Sequence, residues 1–241
     1  METRGARFER DGFLVIDGLV DPAWCAAAIE LCEPLLVQDR GRKPGARGVL
    51  QRQPRLCSLI ADSAVPALVE EIAGPGAGAV RSIMFDKSPE SNWSVPWHQD
   101  AVIAVRERVE VPGFGPWSVK GGEPHCRPPL EVMNSVVVVR IHLDDCGPQN
   151  GPLRLVPRSH AMGILLEREA ERVGVIGPQV ECCVAAGGAV VMRPHTVHSS
   201  PRSVAESRRR VLHLEYSAAR LPGGLQWAEG LGSERTVLPH G

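Results

Sequence analysis

The chain has 241 residues, which is long enough for one sizeable domain with a full hydrophobic core. Its formal net charge of −1 gives no general attraction for nucleic acid or an anionic membrane, and no apolar run reaches the ~18 residues of a bilayer span. The first residues lack the apolar core of a signal peptide, and seven cysteines without a Cys-x-x-Cys pair favour free thiols in the reducing cytoplasm. We therefore expect a cytoplasmic protein that binds neither nucleic acid nor membrane.

The first part of the chain is predicted to be mainly helical. Residues 8–16 are typical of a short helix, a glycine break and a strand. Asp21 followed by Pro22 predicts the start of a helix, with Asp as the N-cap and Pro in the first helical position. A pair of helices is predicted at 56–60 and 65–72.

Between these helices, residues 40–55 contain six basic residues and no acidic one. The favoured interpretation is a mobile, solvated loop, because runs of charge are usually exposed to solvent. The alternative is a lid whose positive charge attracts an anionic group on a substrate.

From residue 79 onward the pattern is that of short strands joined by turns. Residues 110–131 are rich in Gly and Pro and predict an irregular insertion of the kind that covers a substrate. This order of elements predicts a mainly β fold with flanking α, a double-sheet jelly-roll barrel buttressed by N-terminal helices. Strands are predicted at 79–86, 93–99, 101–109, 136–144, 152–156, 180–184, 189–193 and 209–216, and a helix at 162–173. We expect one domain, 1–241, with a helical part of about 1–76, a jelly-roll core of about 77–220 and an insertion or lid of about 102–132.

The pair His98 and Asp100 is the first candidate for chemistry. On an extended segment, side chains two positions apart lie on the same face, so both can reach one point. They would form two-thirds of a 2-His-1-carboxylate iron site. Alone, the pair is a weak signal whose simpler interpretation is a surface turn.

Further motifs follow in the chain, and together they resemble a known family. They are Gln149-Asn150-Gly151-Pro152-Leu153, Pro157-Arg158-Ser159-His160, His198 and Arg208-Arg209-Arg210. With Phe8-x-x-Asp11-Gly12-Phe13, Trp97-His98-Gln99-Asp100 and Tyr216, the sequence resembles the phytanoyl-CoA dioxygenase family of Fe(II)- and 2-oxoglutarate-dependent oxygenases. The resemblance implies a double-stranded β-helix, which is a cupin-like jelly roll, with Fe(II), 2-oxoglutarate and O2 as cofactors.

The resemblance also implies roles for four residues, position by position. His98, Asp100 and His198 would be the iron ligands and therefore the catalytic centre. Arg209, about eleven residues after His198, would hold the distal carboxylate of 2-oxoglutarate, because a guanidinium can bind a carboxylate through two hydrogen bonds. The two flanking arginines share the opposite strand face and are interpreted as solvated charges at a strand end.

Two more residues are candidates for binding the co-substrate. Arg140 interrupts a buried apolar run. Contact with 2-oxoglutarate or substrate, and a structural salt bridge to Asp144 or Asp145, are equally supported for it. Lys87, at a predicted strand end, is a weaker candidate of the same kind.

The remaining candidates concern the substrate and the second histidine ligand. Trp117 and His125, in the insertion, are candidates for substrate contact. His195 competes with His198, but residues three apart on a strand face opposite ways, and the resemblance selects His198. Arg158 stands where the family usually has glycine, so the backbone there is expected to turn differently.

The predicted function is an Fe(II)- and 2-oxoglutarate-dependent dioxygenase that oxidises a small organic molecule, such as one of secondary metabolism, most simply by hydroxylation. Succinate and CO2 would be released. Desaturation, epimerisation and ring closure stay open, as do the substrate, the choice between monomer and homodimer, and which of 40–55 and 102–132 is the lid. Two alternatives also stay open: a cupin-type metalloenzyme that does not use 2-oxoglutarate, and a non-catalytic jelly-roll protein that binds a small molecule.

Overall fold

The structure, a computed structural model, describes residues 2–39 and 45–230. Its helices are α1 (Arg4–Asp11), α2 (Pro22–Gln38), α3 (Val49–Arg52), α4 (Pro54–Ala61), α5 (Val65–Ala73), α6 (Leu130–Asn134) and α7 (Glu167–Ile176). Its strands are β1 (Phe13–Ile16), β2 (Gly45–Arg47), β3 (Gly78–Lys87), β4 (Val95–His98), β5 (Ile103–Ala104), β6 (Trp117–Lys120), β7 (Glu123–Cys126), β8 (Val137–His142), β9 (Leu153–Leu155), β10 (Val180–Cys182), β11 (Ala189–Met192), β12 (His198–Ser200) and β13 (Arg209–Ser217). Within these two ranges, no helix has the length and apolar character of a membrane-spanning segment.

Capping residues define the ends of the first two helices, as the sequence predicts for Asp21 and Gly12. The hydroxyl oxygen of Thr3 accepts a hydrogen bond from the Ala6 amide at 3.1 Å and caps α1. Gly12 ends α1 in the left-handed conformation, with φ 80°, which glycine adopts without steric cost. The Asp21 carboxylate accepts a hydrogen bond from the Trp24 amide at 2.7 Å and caps α2. The predicted helical pair is confirmed as α4 and α5.

Residues 45–55 are folded, so the prediction of a solvated loop is wrong for this part of the basic run. β2 adds to the edge of a sheet beside β3, and α3 and the start of α4 follow. The reason is that apolar residues lie between the basic ones: Ala46, Val49 and Leu50 are at most 3% exposed. Residues 40–44, the rest of the run, lie outside the described residues.

The insertion contains more regular structure than the sequence predicts. β5 is much shorter than the strand predicted at 101–109, and residues 110–131 include the β6–β7 hairpin. These three strands form a separate sheet in the order β5-β7-β6. It has an apolar core of its own, in which Phe114 and Cys126 pack with Trp227. The sequence does not predict this sheet because Trp227, from a distant part of the chain, completes its core.

The helix predicted at 162–173 begins later in the structure. A 3₁₀ turn, Ser159–Met162, comes first, and α7 begins at Glu167. The Glu169 carboxylate accepts a hydrogen bond from the Leu166 amide at 2.9 Å, which satisfies a donor before the first turn and fixes the start of the helix there.

Two antiparallel sheets form the jelly-roll barrel. The larger has the order β1-β11-β8-β13-β3-β2, and the smaller has the order β10-β9-β12-β4. Apolar side chains of both sheets pack against one another, among them Val138, Leu155 and Met192. The predicted fold class, mainly β with flanking helices, is confirmed.

Side chains of the larger sheet alternate between its two faces, and both faces are buried. On β8, Val139 and Ile141 pack with the N-terminal helices, where Leu36 is also buried. Val138 and Arg140, which alternate with them along the strand, face the smaller sheet. A charged residue on this inner face therefore lies inside the barrel, and the candidate site is built from such residues.

Candidate functional site

His98, Asp100 and His198 come together inside the barrel. His98 ends β4 and His198 begins β12, and the two are antiparallel partners with ring centroids 4.2 Å apart. Asp100 lies just beyond β4, where its amide donates to the Pro194 carbonyl at 2.9 Å. Its two carboxylate oxygens lie 3.7 Å from Nε2 of His98 and 3.6 Å from Nε2 of His198. One potential ligand atom from each residue fits within 4.8 Å of the others, a spacing that could hold a metal ion.

Both imidazoles are oriented by their Nδ1 atoms. His98 Nδ1 lies 2.9 Å from the Pro96 carbonyl oxygen, and His198 Nδ1 lies 2.7 Å from the Thr196 carbonyl oxygen. Because a carbonyl can only accept, each Nδ1 carries a proton that it donates there, and Nε2 is the ring nitrogen on the side of Asp100. Two neutral imidazoles and one carboxylate are the donor set of a non-heme iron site with open positions, so these residues fit iron.

The electrostatics of Asp100 and His198 favour metal binding. Burial and, after it, the neighbouring His98 lower the pKa of His198 to about 3. Burial alone would raise the pKa of Asp100, but the neighbouring His98 and His198 hold it well below its usual range. Burial also opposes protonation of His98, but the Asp100 carboxylate outweighs it and raises that pKa. An ionised carboxylate and a neutral His198 are the states that bind a metal cation.

Arg209 and Lys87 lie side by side at one end of the site. They are cross-strand partners on β13 and β3, and both are almost completely buried. Lys87 Nζ donates to Ser200 Oγ and to the Pro201 carbonyl, each at 2.8 Å. Burial and, after it, the charge of Arg209 lower the pKa of Lys87 to about 7. Two cations this close and this buried favour an anionic ligand.

The Asn-Gly turn of the sequence motif supports this end of the site. Gly151 has φ 63°, and a Cβ there would lie 2.4 Å from the Pro201 carbonyl oxygen, so only glycine fits. Its carbonyl accepts hydrogen bonds from Arg209 Nη1 and, at 2.9 Å, from Ser200 Oγ. The motif therefore positions the arginine and the serine that contacts Lys87.

Arg140 also points into the barrel. Its Nη1 lies 2.9 Å from His213 Nδ1, and its guanidinium carbon lies 4.9 Å from the centre of the Phe85 ring. The Nε atoms of both Arg140 and Arg209 are buried without a hydrogen-bond partner. Buried donors left unpaired are costly, so these atoms fit the carboxylates of a bound 2-oxoglutarate.

The outward-facing arginines beside Arg209 form ion pairs. Arg210 binds the Asp144 carboxylate at 2.6 Å, and Arg208 binds Asp86 at 2.8 Å. Their interpretation as solvated charges is therefore wrong. The alternative role of Arg140, a structural salt bridge to Asp144 or Asp145, is not observed: Asp144 pairs with Arg210, and Asp145 accepts a hydrogen bond from the Ala186 amide.

The candidate ligands and cations line one pocket with a volume of about 200 Å³. It is also lined by four ionisable residues that the sequence did not single out, which are Arg47, Arg81, Lys120 and His213. Arg81 carries a signal that could have found it, since it is a charge within an apolar strand, as Arg140 is.

The structure does not bring Trp117 and His125 into this pocket. His125 is fully buried, with Nδ1 2.9 Å from the Glu123 carbonyl oxygen, and burial lowers its pKa to about 4. Trp117 packs in the core of the small insertion sheet, beside Arg108. Lys120, at the end of the same hairpin, does line the pocket, as does Val102 at the start of the insertion.

His195 and Arg158 lie outside the pocket. His195 is buried, with its ring centroid 6.2 Å from that of His160. Arg158 adopts φ 66° and ψ 2°, the left-handed conformation that glycine favours. Arg158 therefore places a side chain in a backbone conformation that glycine adopts without steric cost.

Several solved structures have a similar fold. The carbocyclase SnoK from nogalamycin biosynthesis is 16% identical, covering 90% of this chain and 84% of its own, with a TM-score of 0.68. AviO1 from Streptomyces viridochromogenes is 24% identical, covering 88% and 91%, with a TM-score of 0.63. EctD from S. alaskensis, in a structure with 2-oxoglutarate and 5-hydroxyectoine, is 16% identical, covering 89% and 74%, with a TM-score of 0.66. At these identities the likeness shows the fold alone.

A search of curated proteins finds no match. The family model described as phytanoyl-CoA dioxygenase matches residues 8–211, which include all three candidate ligands and Arg209. The match covers most of the chain and confirms the resemblance of the motifs. The chain therefore belongs to the phytanoyl-CoA dioxygenase family of oxidoreductases, and its cofactors are iron, 2-oxoglutarate and dioxygen.

Proposed function

We propose that the protein is an Fe(II)- and 2-oxoglutarate-dependent dioxygenase that hydroxylates a small organic molecule, with release of succinate and CO2. The whole chain, 1–241, acts as one catalytic domain in the cytoplasm, in keeping with its free thiols. In this proposal His98, Asp100 and His198 bind the iron. The observation that carries it is the convergence of two Nε2 atoms on one carboxylate, with both Nδ1 atoms held by main-chain carbonyls.

The second part of the proposal concerns the co-substrate. Arg209 holds the distal carboxylate of 2-oxoglutarate, since its Nε is buried and unpaired and its guanidinium offers a planar fork of donors. Lys87, its cross-strand partner, adds positive charge next to the same carboxylate. Arg140, whose Nε is also unpaired, lines the pocket and completes a cationic wall.

When bound, iron and 2-oxoglutarate supply the oxidation of a C–H bond by dioxygen, coupled to decarboxylation of the keto acid. The residues of the chain prepare the site for this chemistry. Thr196 and Pro96 hold the imidazole tautomers through their carbonyls, so that Nε2 of each ligand is free. Phe85 and Trp93 form apolar walls of the pocket that limit the access of water to the reacting groups.

An anaerobic titration with Fe(II) and then with 2-oxoglutarate tests the proposal. We expect one iron per chain, followed by the weak visible charge-transfer band of 2-oxoglutarate chelated to Fe(II). If iron binds and the band does not form, the cupin-type metalloenzyme without 2-oxoglutarate is the better assignment. If no iron binds, the non-catalytic binding protein is the better one.

A further inference from the structure

The register of the sheet separates the cations of the pocket into two groups. Lys87 and Arg209 are partners at one end of β3 and β13, whereas Arg81 and Glu215 are partners six residues farther along β3. At ~3.3 Å per residue, these two rows lie roughly 20 Å apart. The pocket therefore has a second cationic end, away from the residues proposed to hold 2-oxoglutarate.

Two side chains join Arg81 at this second end, and each comes from a different segment. Arg47, on β2, is the cross-strand partner of Ile83 and so lies nearer to the Arg81 row than to the Lys87 row. Lys120 ends β6, and a Cβ on its neighbour Gly121 would lie 3.0 Å from Cδ of Arg47. The tip of the insertion hairpin therefore contacts β2 over the pocket, and each segment contributes one cation to the lining.

The charges of Arg47 and Lys120 are not balanced inside the pocket. Its lining contains six lysine and arginine side chains but one carboxylate, the candidate ligand Asp100. Arg81 is neutralised by Glu215 at 2.8 Å, whereas Nη1 of Arg47 is buried without a hydrogen-bond partner. Glu123, the other carboxylate of the hairpin, does not line the pocket.

The local environment shows that these cations lie close together and partly out of water. Burial lowers the pKa of Arg47, and the charge of Arg81 lowers it further against the attraction of the nearby carboxylates, Glu123, Glu215 and Asp100. Burial also lowers the pKa of Lys120, where the charges of Arg81 and Arg47 act in the same direction against the attraction of Asp100. Mutually repelling cations at a pocket wall are stabilised by an anion that binds between them.

We propose that Arg47 and Lys120 bind an anionic group of the substrate, a carboxylate or a phosphate, while the remainder of the substrate extends toward the candidate iron ligands. This inference rests on the proposed function, because it assigns the second cationic end to the substrate of that reaction. In the proposed function, one carboxylate of 2-oxoglutarate is at the iron and the distal one is at the Lys87–Arg209 end. The second cationic end is therefore left for an anionic group of the substrate.

Binding of matched neutral and anionic compounds tests the inference even while the substrate is unidentified. The protein is loaded with Mn(II) and 2-oxoglutarate, and binding is measured by calorimetry and thermal shift. The probes are aliphatic and aromatic carboxylic acids, each paired with its primary carboxamide, and sugar phosphates, each paired with the parent sugar. We expect the anionic member of a binding pair to bind about tenfold or more tightly than the neutral one. Which set binds distinguishes a carboxylate from a phosphate.

Variants connect the preference to the two residues. Arg47→Gln and Lys120→Gln should each remove most of the preference for the anion, by about tenfold, and leave the affinity for 2-oxoglutarate within about twofold. Arg55→Gln and Arg127→Gln remove the same charge from exposed positions outside the pocket lining and should change neither affinity. Lys120 is exposed at a hairpin end, so its variant keeps the test decisive even if Arg47→Gln is unstable.

Four results would overturn the inference. The first three are equal binding of the neutral members, no binding of any anionic member, and an unchanged preference in both variants. The fourth is a loss of 2-oxoglutarate binding in Arg47→Gln, because the cation would then belong to the co-substrate. Failure of the proposed function is a different result, since it is the absence of the charge-transfer band from the wild-type protein with Fe(II) and 2-oxoglutarate.

Discussion

His98 and His198 are one hundred residues apart in the chain and direct cross-strand partners in the fold, with ring centroids 4.2 Å apart. Antiparallel register decides which residues face each other, so one strand pairing brings both imidazoles to the same side of the smaller sheet. A shift of one residue between β4 and β12 would turn one imidazole away. The candidate metal site is therefore a direct consequence of strand register.

Replacing a candidate ligand should remove iron binding. We expect His198→Ala to weaken Fe(II) binding by more than roughly a hundredfold, because even residues that only orient a metal ligand contribute 10- to 100-fold. Iron retained against a competing chelator is the measurement, and succinate formation should disappear in the same variant. His195→Ala is the matched control, since His195 is buried outside the pocket and should leave iron binding intact. Loss of iron in the control alone would exchange the roles of the two histidines.

Replacing Arg209 should weaken the binding of 2-oxoglutarate without removing iron. The inward guanidinium is proposed to form charge-assisted hydrogen bonds with the distal carboxylate, so we expect Arg209→Gln to raise the dissociation constant about 10- to 100-fold. Titration of the charge-transfer band gives this constant in the absence of any substrate.

Arg210→Gln is the neighbouring control. Its side chain points away from the pocket to Asp144, and its loss should lower the free energy of unfolding by up to about 1 kcal/mol while leaving 2-oxoglutarate binding unchanged. Equal effects of the two variants on 2-oxoglutarate would contradict the assignment of Arg209.

The residues predicted to be metal ligands could be selected from the sequence because their motif is short and local. His98 and Asp100 lie two positions apart, and the family motif supplies His198. The same-face rule is an approximation here, since β4 ends at His98 and the Asp100 amide is held by Pro194 instead. The predicted groups do lie together, although the local geometry differs from an ideal strand.

The second cationic end could not be predicted, because it depends on contacts between distant segments. Arg47 reaches the pocket only because β2 adds to the edge of β3, and Lys120 only because its hairpin folds against β2. The sequence predicts a solvated loop for the basic run because positive charge dominates its composition. Ala46 and Val49 within it are nevertheless buried. Local patterns identify both segments as candidate lids, but tertiary packing decides what each contributes.

The affinity for 2-oxoglutarate should depend on the protonation of Lys87. With its pKa lowered to about 7, mainly by burial, Lys87 is a cation at lower pH and increasingly neutral above about pH 7. The dianionic co-substrate favours the charged form, so its affinity should be constant below about pH 6 and fall by up to about tenfold per pH unit above pH 7. Binding above pH 7 should then take up a proton, which calorimetry in buffers of different ionisation enthalpy detects.

Lys87→Met is the variant that isolates this effect. It keeps the length and the apolar part of the side chain but cannot titrate. Its 2-oxoglutarate affinity should be lower than that of the wild-type protein at pH 6 and should lose most of the dependence on pH between 6 and 8. If the variant shows the same slope as the wild type, another group is responsible for the pH dependence.

Replacing Arg158 by glycine should stabilise the protein. Arg158 holds φ 66° in the turn before Ser159–Met162, and its side chain is exposed. A side chain in the left-handed region costs about 1–2 kcal/mol, and the greater freedom of glycine in the unfolded chain offsets only part of this gain. We therefore expect Arg158→Gly to raise the free energy of unfolding by about 0.5–1 kcal/mol, measured by chemical denaturation. Arg158→Ala removes the same charge but keeps the strained φ, so it should be no more stable than the wild type. An Arg158→Gly variant less stable than Arg158→Ala would show that the arginine side chain stabilises this turn by more than its backbone strain costs.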